Sequence, residues 1–469
     1  GENGVKFACI VGDFGRIAGR TGLGAVMGSK NLKAVAARGG QGVAVADPEL
    51  LQKATMRVRE QWLNHPQAYQ TKARHGTTGG WWRYDKFGMM SAKNFQTGVF
   101  EGSGKLVEAL EQYYVKPKAC FSCPVPCDRL YVVSTGPYAG TYGEGLQAGQ
   151  LGHYLSQIGV RDLEFMLAIT ALTDDLGMNL MDMAGVISFA MQCYEEEILS
   201  EDDLGGTPLR WGTEEGVLKL IDMTVRREGI GDVLAEGLRG ASQVIGKGSE
   251  ELAMHVKGTA MTMRDPRCSK AYALAYAVSS RGADHTHALA EDTTSSFFVD
   301  ETADAQREGG GVDPYSEEGK PELVRALEDV RAVQSSLQQC ILVDIELSDP
   351  RIGDLARFLN AATGMGATDG DILRIGERIL NLERAFNVRE GLTRADDTLP
   401  KRFLEQPMPE GPGKGQTVNL EVMLDEYYEL RGWDLVTGFP TAEKLRALDL
   451  EEVAKELAAL GKPSQSPSS

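Results

Sequence analysis

Three thiols stand in one short run, Cys120-Phe121-Ser122-Cys123-Pro124-Val125-Pro126-Cys127. The spacing is C-x2-C-x3-C. The two prolines disfavour a regular helix, and the short spacing lets the sulfurs converge. Thiolates are soft ligands that suit an iron–sulfur cluster or zinc. A cubane cluster needs four ligands, so a fourth cysteine must come from elsewhere. Cys340 is the candidate, because it sits in a helix-like segment flanked by polar residues. Cys9, Cys193 and Cys268 lie in apolar or helical contexts and read as buried core thiols. The competing readings are a structural zinc site or three unrelated cysteines.

Other segments carry weaker signals. Arg16-Ile17-Ala18-Gly19-Arg20-Thr21-Gly22-Leu23-Gly24 continues through Gly28 to Lys30. Glycines let backbone N–H groups approach an anion, and Arg and Lys supply charge. The run matches neither G-x-G-x-x-G nor the P-loop, and a tight turn with solvated basic residues explains it equally well. His285 and His287 form a close pair among only six histidines. Alternate spacing would put both on one side of an extended segment, where they could ligate a metal or carry a proton. A hydrogen-bonded structural histidine is the simpler account. Glu144 lies among glycines in Gly140-Thr141-Tyr142-Gly143-Glu144-Gly145, and an exposed loop glutamate is the bland reading. Asp174-Asp175-Leu176-Gly177-Met178-Asn179 reads alone as a helix end with a glycine stop.

The elements that must position these residues are mostly helical. Val5 to Val11 and Leu32 to Ala37 read as strands on either side of the glycine-rich turn. A helix is expected after Asp47, with Pro48 at its first position. Residues 65–105 read as irregular. Helical spacing begins near 160, with Gly177 as a stop, and continues over 182–198, 214–228, 232–245 and 269–280. Thr213-Glu214-Glu215 is a capped start. Residues 301–320 read as a loop, and helices resume at 322–345, 351–362, 370–390 and 419–431. The tail after Pro463 is Ser/Pro-rich and expected to be disordered. The fold class is mostly α with a small β portion (α+β).

Composition bounds the function. The 469 residues carry a formal charge of −18, which repels phosphate backbones, so nucleic acid is a poor partner. No apolar run reaches the roughly 18 residues of a membrane span. Seven cysteines make no disulfide framework, and a reducing cytoplasm is expected. The 55 glycines exceed the usual share of about 7%, so tight turns or close backbone approach are required. The chain opens on Gly1 without an initiator methionine, and a longer parent is expected.

Taken together these segments resemble the aldehyde ferredoxin oxidoreductase family of tungsten, sometimes molybdenum, enzymes. The resemblance runs over nearly the whole chain. It is carried by Gly1-Glu2-Asn3 through Gly24-Ala25-Val26-Met27-Gly28-Ser29-Lys30-Asn31-Leu32-Lys33-Ala34, and by Lys93-Asn94-Phe95-Gln96-Thr97-Gly98. Asp397-Thr398-Leu399-Pro400-Lys401-Arg402-Phe403 and Tyr427-Tyr428-Glu429-Leu430-Arg431-Gly432-Trp433 extend it. It implies one metal between two pterin dithiolenes beside a [4Fe–4S] cluster held by Cys120, Cys123, Cys127 and Cys340. The family's D-x-x-G-L-[CD] pterin motif is similar to the segment Asp174 to Asn179, including Gly177 and Met178. Its second copy falls on Ser335-Ser336-Leu337-Gln338-Gln339-Cys340, with Ser335 and Gln338 where the family has Asp and Gly. The turn with Gly19 and Arg20 resembles the stretch that meets the pterin phosphates, and a bridging magnesium ion would involve the backbone near Arg16 and Ile17.

The same resemblance makes Glu144 the active-site glutamate and His285 the active-site histidine. The family's tyrosine before that glutamate is absent, with Gly143 in its place and Tyr142 one residue earlier. An E-x-x-H pair that holds a metal at the dimer interface of some members would fall on Ala168 and Ala171, so that bridge is expected to be missing, although a homo-oligomer stays open. Residues 1–44 would be the end of a β-rich first domain, 45–253 and 254–462 helical second and third domains, and 463–469 the tail. The implied reaction is oxidation of a small aldehyde to a carboxylic acid, with electrons passing to ferredoxin or an electron-transfer subunit. The alternatives are another reduction on the same scaffold, as in aryl-CoA reductases, or a non-catalytic iron–sulfur or zinc module.

Overall fold

Local signals decide most of the element starts. Asp47 Oδ1 accepts from the Leu50 N–H at 2.9 Å, and the helix Pro48–Asn64 follows. Asp162 accepts from the Phe165 N–H at 2.8 Å ahead of Leu163–Asp175, and Asn179 accepts from the Asp182 N–H at 3.1 Å ahead of Leu180–Glu195. Each of these side chains satisfies an orphan donor of a first helical turn. The structure, a computed structural model, describes residues 1–12, 15–64, 66–290, 313–343 and 352–461. Most of the expected loop at 301–320, the end of the helix expected over 322–345, and the expected tail lie outside them.

The described residues are mostly helical, with three small antiparallel sheets among them. It forms two compact units, each built from three stretches: residues 1–38, 70–268 and 400–417, and residues 39–69, 269–399 and 418–469. In the first unit the helix Leu180–Glu195 is buried along nearly its whole length, the pattern of a helix at the centre of a core. A three-stranded sheet, Tyr114–Lys118, Asp128–Val132 and Tyr142–Glu144, pairs in chain order. The returning segment 400–417 is tied in by Arg402, which donates to the Asn94 carbonyl and to Gln192 Oε1 at 3.1 Å. Arg267, beside it, donates to the Phe95 carbonyl at 2.7 Å and ion-pairs Asp265 at 2.6 Å.

In the second unit the helices Lys320–Ser336, Asp369–Arg389 and Leu420–Arg431 pack together, and Pro48–Asn64 packs on Ile352–Thr363. Val330, Val333, Leu355 and Ile372 make one apolar cluster. A polar network runs through the same core. Arg431 is fully buried and holds Asp329 at 2.5 Å and Glu328 at 2.8 Å, while its Nε donates to Tyr427 Oη at 2.9 Å. Arg384 pairs with Asp397 at 2.8 Å, and the Tyr428 hydroxyl donates to the same carboxylate.

Several expectations change. Residues 32–37 form no strand; Leu32 and Val35 are exposed there, without a partner strand to pair with. The first strand is shorter than expected, Ile10–Gly12, and pairs with Arg16–Ala18. The glycine-rich turn continues into a helix, Leu23–Ser29, which its glycines had masked. Residues 65–105 contain five short helices rather than irregular chain. The helix expected over 232–245 breaks into Ile230–Leu234 and Gly237–Ile245 at Gly237, whose φ is +76°. Thr213 precedes its helix but donates its hydroxyl to the Arg210 carbonyl at 2.8 Å. Among the described residues no helix is long and apolar enough to cross a membrane.

Removing Arg431 would take the main cation from two buried carboxylates, leaving Glu328 to His287 and Asp329 to Arg325 at 4.0 Å. R431A is expected to lose about 3–5 kcal/mol of stability, read by thermal or denaturant unfolding. A loss below about 1 kcal/mol, the range of exposed pairs, would show that the network is not holding this core.

Candidate functional site

Two segments far apart in sequence meet in the first unit. The hairpin of Ile10–Gly12 and Arg16–Ala18 ends at Gly19, where a Cβ would lie 2.7 Å from Asn179 Nδ2. The Asn179 N–H donates to the Phe7 carbonyl at 3.0 Å, and the Cys9 N–H donates to the Gly177 carbonyl at 2.8 Å. Arg20 donates to the Ala260 carbonyl, and its Nη2 lies 3.9 Å from Asp182 Oδ1. Asp174 faces the hairpin, for a Cβ on Gly15 would stand 3.3 Å from its Oδ2. Burial, with Asp175 and Asp128 nearby, pushes the Asp174 carboxyl up to about 7. It can therefore donate or accept a hydrogen bond near neutral pH.

Glu144 is buried at the end of its strand, paired in register with Leu130. Its Oε1 accepts from Lys118 Nζ, and its Oε2 lies 3.5 Å from Arg16 Nε. Arg16 Nη2 also pairs with Asp128 Oδ2 at 2.8 Å. The exposed-loop reading of Glu144 therefore does not hold. Lys118 and Asp128 were missed in the sequence, although each lies within two residues of the cysteine run. The neighbouring Gly143 has a physical reason: a Cβ there would stand 2.5 Å from the hydroxyl of buried Tyr131, which donates to the Leu167 carbonyl. Tyr131 thus fills the space beside position 143, while Tyr142 points outward, 67% exposed.

The cysteine run is a loop between the first two strands of that sheet, as its prolines require. Cys120 is exposed, Cys123 half-buried and Cys127 buried, and the Val125 N–H donates to Cys123 Sγ at 3.5 Å. Among the described residues, no three His, Cys, Asp or Glu side chains stand close enough to hold one metal ion. Cys9, Cys193 and Cys268 are buried.

Cys340 and the histidines belong to the second unit. The helix Lys320–Ser336 ends as Leu163–Asp175 does. The Gln338 N–H donates to Ser335 O at 3.1 Å and the Gln339 N–H to Gln334 O at 2.9 Å; the Gly177 N–H donates to Asp174 O at 3.0 Å and the Met178 N–H to Thr173 O at 3.1 Å. Gly177 has φ +65° and Gln338 φ +58°. The second segment keeps the backbone of the first, with glutamine in a conformation that favours glycine. Gln339 lines a cavity of about 340 Å³ with Leu51, Val58, Leu337, Phe358 and Ala362. Cys340 is exposed.

His285 and His287 do not lie on an extended segment. Asp284 accepts from the Thr286 N–H at 2.7 Å and starts a short helix, His285–Ala288, which turns the two rings apart. His285 is half-buried. His287 lies between two carboxylates, with Nδ1 3.3 Å from Glu328 Oε1 and Nε2 3.2 Å from Glu383 Oε2. Burial opposes its charge, but hydrogen bonds to Glu328 and Glu383 outweigh that and lift it to about 9. Both carboxylates are held below their ordinary value, against burial, by the same contact.

Two tests follow from this unit. The His287 contribution to stability is full below about pH 6.5 and is lost as pH rises through about 9. Unfolding midpoints should fall over that window, and H287N should flatten the fall; a variant that keeps the wild-type slope would remove His287 as its source. Q338G should raise stability by about 1 kcal/mol by relieving a left-handed side chain, and G177A should lower it, both read by denaturant unfolding.

The profile described as aldehyde ferredoxin oxidoreductase, domains 2 & 3, matches residues 53–450, and that of the family's N-terminal domain matches residues 1–39. The tungsten-containing aldehyde ferredoxin oxidoreductase of Pyrococcus furiosus is 38% identical over 465 residues, covering 96% of this chain and 72% of that protein. An aliphatic sulfonate oxidoreductase, WOR-like subunit, from the same organism is 32% identical over 483 residues, covering 98% and 71%. The solved active-site complex BamBC of benzoyl-coenzyme A reductase, in complex with 1,5-dienoyl-CoA, superposes with a TM-score of 0.77. It covers 99% of this chain and 75% of that one, and at 23% identity it speaks for the fold alone. The chain belongs to the aldehyde ferredoxin oxidoreductase family and is an oxidoreductase of that type.

Proposed function

We propose that this protein oxidises an aldehyde to a carboxylic acid at a tungsten, or molybdenum, bis-pterin centre, with electrons leaving through a [4Fe–4S] cluster to ferredoxin or an electron-transfer subunit. The observation that carries the proposal is the meeting of the glycine hairpin, the segment Asp174 to Asn179 and the buried Glu144 within one unit. On this reading residues 1–44 are the end of the first domain, and 45–253 and 254–462 are the second and third.

The residues fit the groups by their chemistry. A carboxyl that titrates near neutrality, beside backbone held close by glycines, suits a heterocycle with both donors and acceptors. Arg16, Ile17, Gly19 and Arg20 would meet the pterin phosphates and a magnesium ion bound with them. Asp174, Gly177, Met178 and Asn179 would hold one pterin, and Gln339 the second. Cys120, Cys123, Cys127 and Cys340 would hold the cluster, a set of soft thiols with one N–H already directed at sulfur.

When bound, the metal centre would supply Lewis acidity and an acceptor for the two electrons of the aldehyde C–H bond, whose hydrogen leaves as a proton. Glu144 takes a proton from the attacking water, whose oxygen adds to the aldehyde carbon. His285 donates a hydrogen bond to the aldehyde oxygen, where negative charge develops. Lys118 and Arg16 balance the Glu144 charge.

A second reading is reduction of an aryl-CoA ester on the same scaffold, the fold of the benzoyl-coenzyme A reductase complex. Metal analysis of the full-length protein, followed by aldehyde- and aryl-CoA-dependent assays with a viologen dye, separates the two. E144Q is expected to lose about 10²–10⁴-fold in aldehyde turnover with tungsten content unchanged. Full turnover in that variant, at full occupancy, would take Glu144 out of the mechanism. Absence of tungsten and molybdenum from the wild type would overturn the proposal as a whole.

A further inference from the structure

Arg129 follows the cysteine run by two residues and is only 2% exposed. A buried guanidinium normally faces a carboxylate, because an unpaired buried charge is costly. Among the described residues Arg129 has no carboxylate within ion-pair distance. Its donors all go to backbone carbonyls instead. Nε reaches Arg74 O at 2.9 Å and Nη1 reaches Pro126 O at 3.0 Å, while Nη1 and Nη2 also donate to Asp128 O and Lys72 O. The adjacent Asp128 carboxylate accepts from the Arg129 backbone N–H at 2.8 Å and pairs with the Arg16 guanidinium at 2.8 Å, not with that of Arg129.

These carbonyls fix the geometry of the loop's buried arm. Pro126 and Asp128 flank Cys127 on either side. The Cys127 carbonyl accepts from Gln147 Nε2 at 3.4 Å and packs on Gly76, where a Cβ would lie 2.7 Å from it. The Arg129 carbonyl accepts from the Gly145 N–H at 2.9 Å, next to Glu144. One side chain therefore locks both neighbours of a thiol and leaves a whole positive charge buried beside it.

We propose that Arg129 is a positioning residue for the iron–sulfur cluster and its protein counter-cation, holding the Cys127 arm and raising the cluster's reduction potential. This rests on the cluster in the functional reading above. A cubane with four thiolates carries about two negative charges when oxidised and about three when reduced. A fixed cation favours the more negative state, so removing it should lower the potential.

The test uses the full-length protein, purified without oxygen. Iron and sulfide analysis of the wild type comes first: a protein without a cluster overturns the functional reading, and this inference with it. In cluster-containing protein, R129Q and R129K are compared by potentiometric titration followed by electron paramagnetic resonance. R129Q should titrate at lower potential than wild type, while R129K, which keeps the charge but not the planar fork, should stay near it. R129K should also release iron to a chelator several-fold faster. An R129Q cluster at wild-type potential overturns the charge assignment. Should R129Q not accumulate, R129K decides: a lowered potential, or release at the wild-type rate, overturns the proposal.

Discussion

A buried carboxylate has to be balanced, and the first unit is arranged around that requirement at Glu144. Its two partners come from separate places, Arg16 from the glycine hairpin and Lys118 from the strand ahead of the cysteines. Arg16 in turn holds Asp128, on the strand after the cysteines. Four charged side chains thus fasten the hairpin to both strands that carry the thiol loop. Such a network is favourable only when every member is satisfied. Loss of Arg16 would take the cation from Asp128 and leave Glu144 to Lys118, so the site's charges and the loop's position are set together.

Close approach of backbone is the second constraint. Gly19 lies against Asn179, Gly76 against the Cys127 carbonyl and Gly143 against Tyr131. At each point a methyl group would push apart two segments that the site needs in contact. The helix ends at Gly177 and Gln338 share one hydrogen-bond pattern, although only the first has the residue best suited to it. Tertiary packing can hold a non-glycine residue in the left-handed region when the surroundings over-determine it. The second segment, in which Ser335 and Gln338 depart from the family's residues, therefore still folds as a turn of the same shape.

What the sequence disclosed follows from how local each signal is. The helix start after Asp47 and the glycine stop at Gly177 rest on signals within a few residues and are legible in the sequence. The thiol spacing and the prolines likewise fixed a loop. The strand expected over 32–37 failed because a strand needs a partner, which no local pattern supplies. His285 and His287 were given an extended period because the cap at Asp284 went unrecognised. Glu144 read as an exposed loop residue because its cations lie 26 and 128 positions away, a distance at which charge pairing leaves no trace in the pattern. Residues that neutralise or orient, such as Lys118, Asp128 and Arg129, carry no motif of their own. They become visible only when the fold shows which charges are buried.

That last point explains an apparent mismatch between composition and core. The chain has a surplus of acidic residues, 67 against 49 basic ones. Yet several arginines are deeply buried, among them Arg129, Arg267, Arg384, Arg402 and Arg431, alongside Lys270 and Lys320. Each arginine joins segments distant in sequence: Arg402 reaches Asn94 and Gln192, Arg384 reaches Gly438 and Asp397, and Arg267 reaches Phe95 and Gln406. A guanidinium has five donors in a fixed fork, so one side chain can satisfy several carbonyls or carboxylates at once. Both units are built from three separate stretches of chain. Arginine forks that bind backbone from another stretch give such interleaved units a geometry that apolar contacts alone leave loosely specified, since burial of apolar surface has no direction. Arg129, like Arg402, gives its fork to carbonyl oxygens rather than to carboxylates, and it does so on both sides of Cys127.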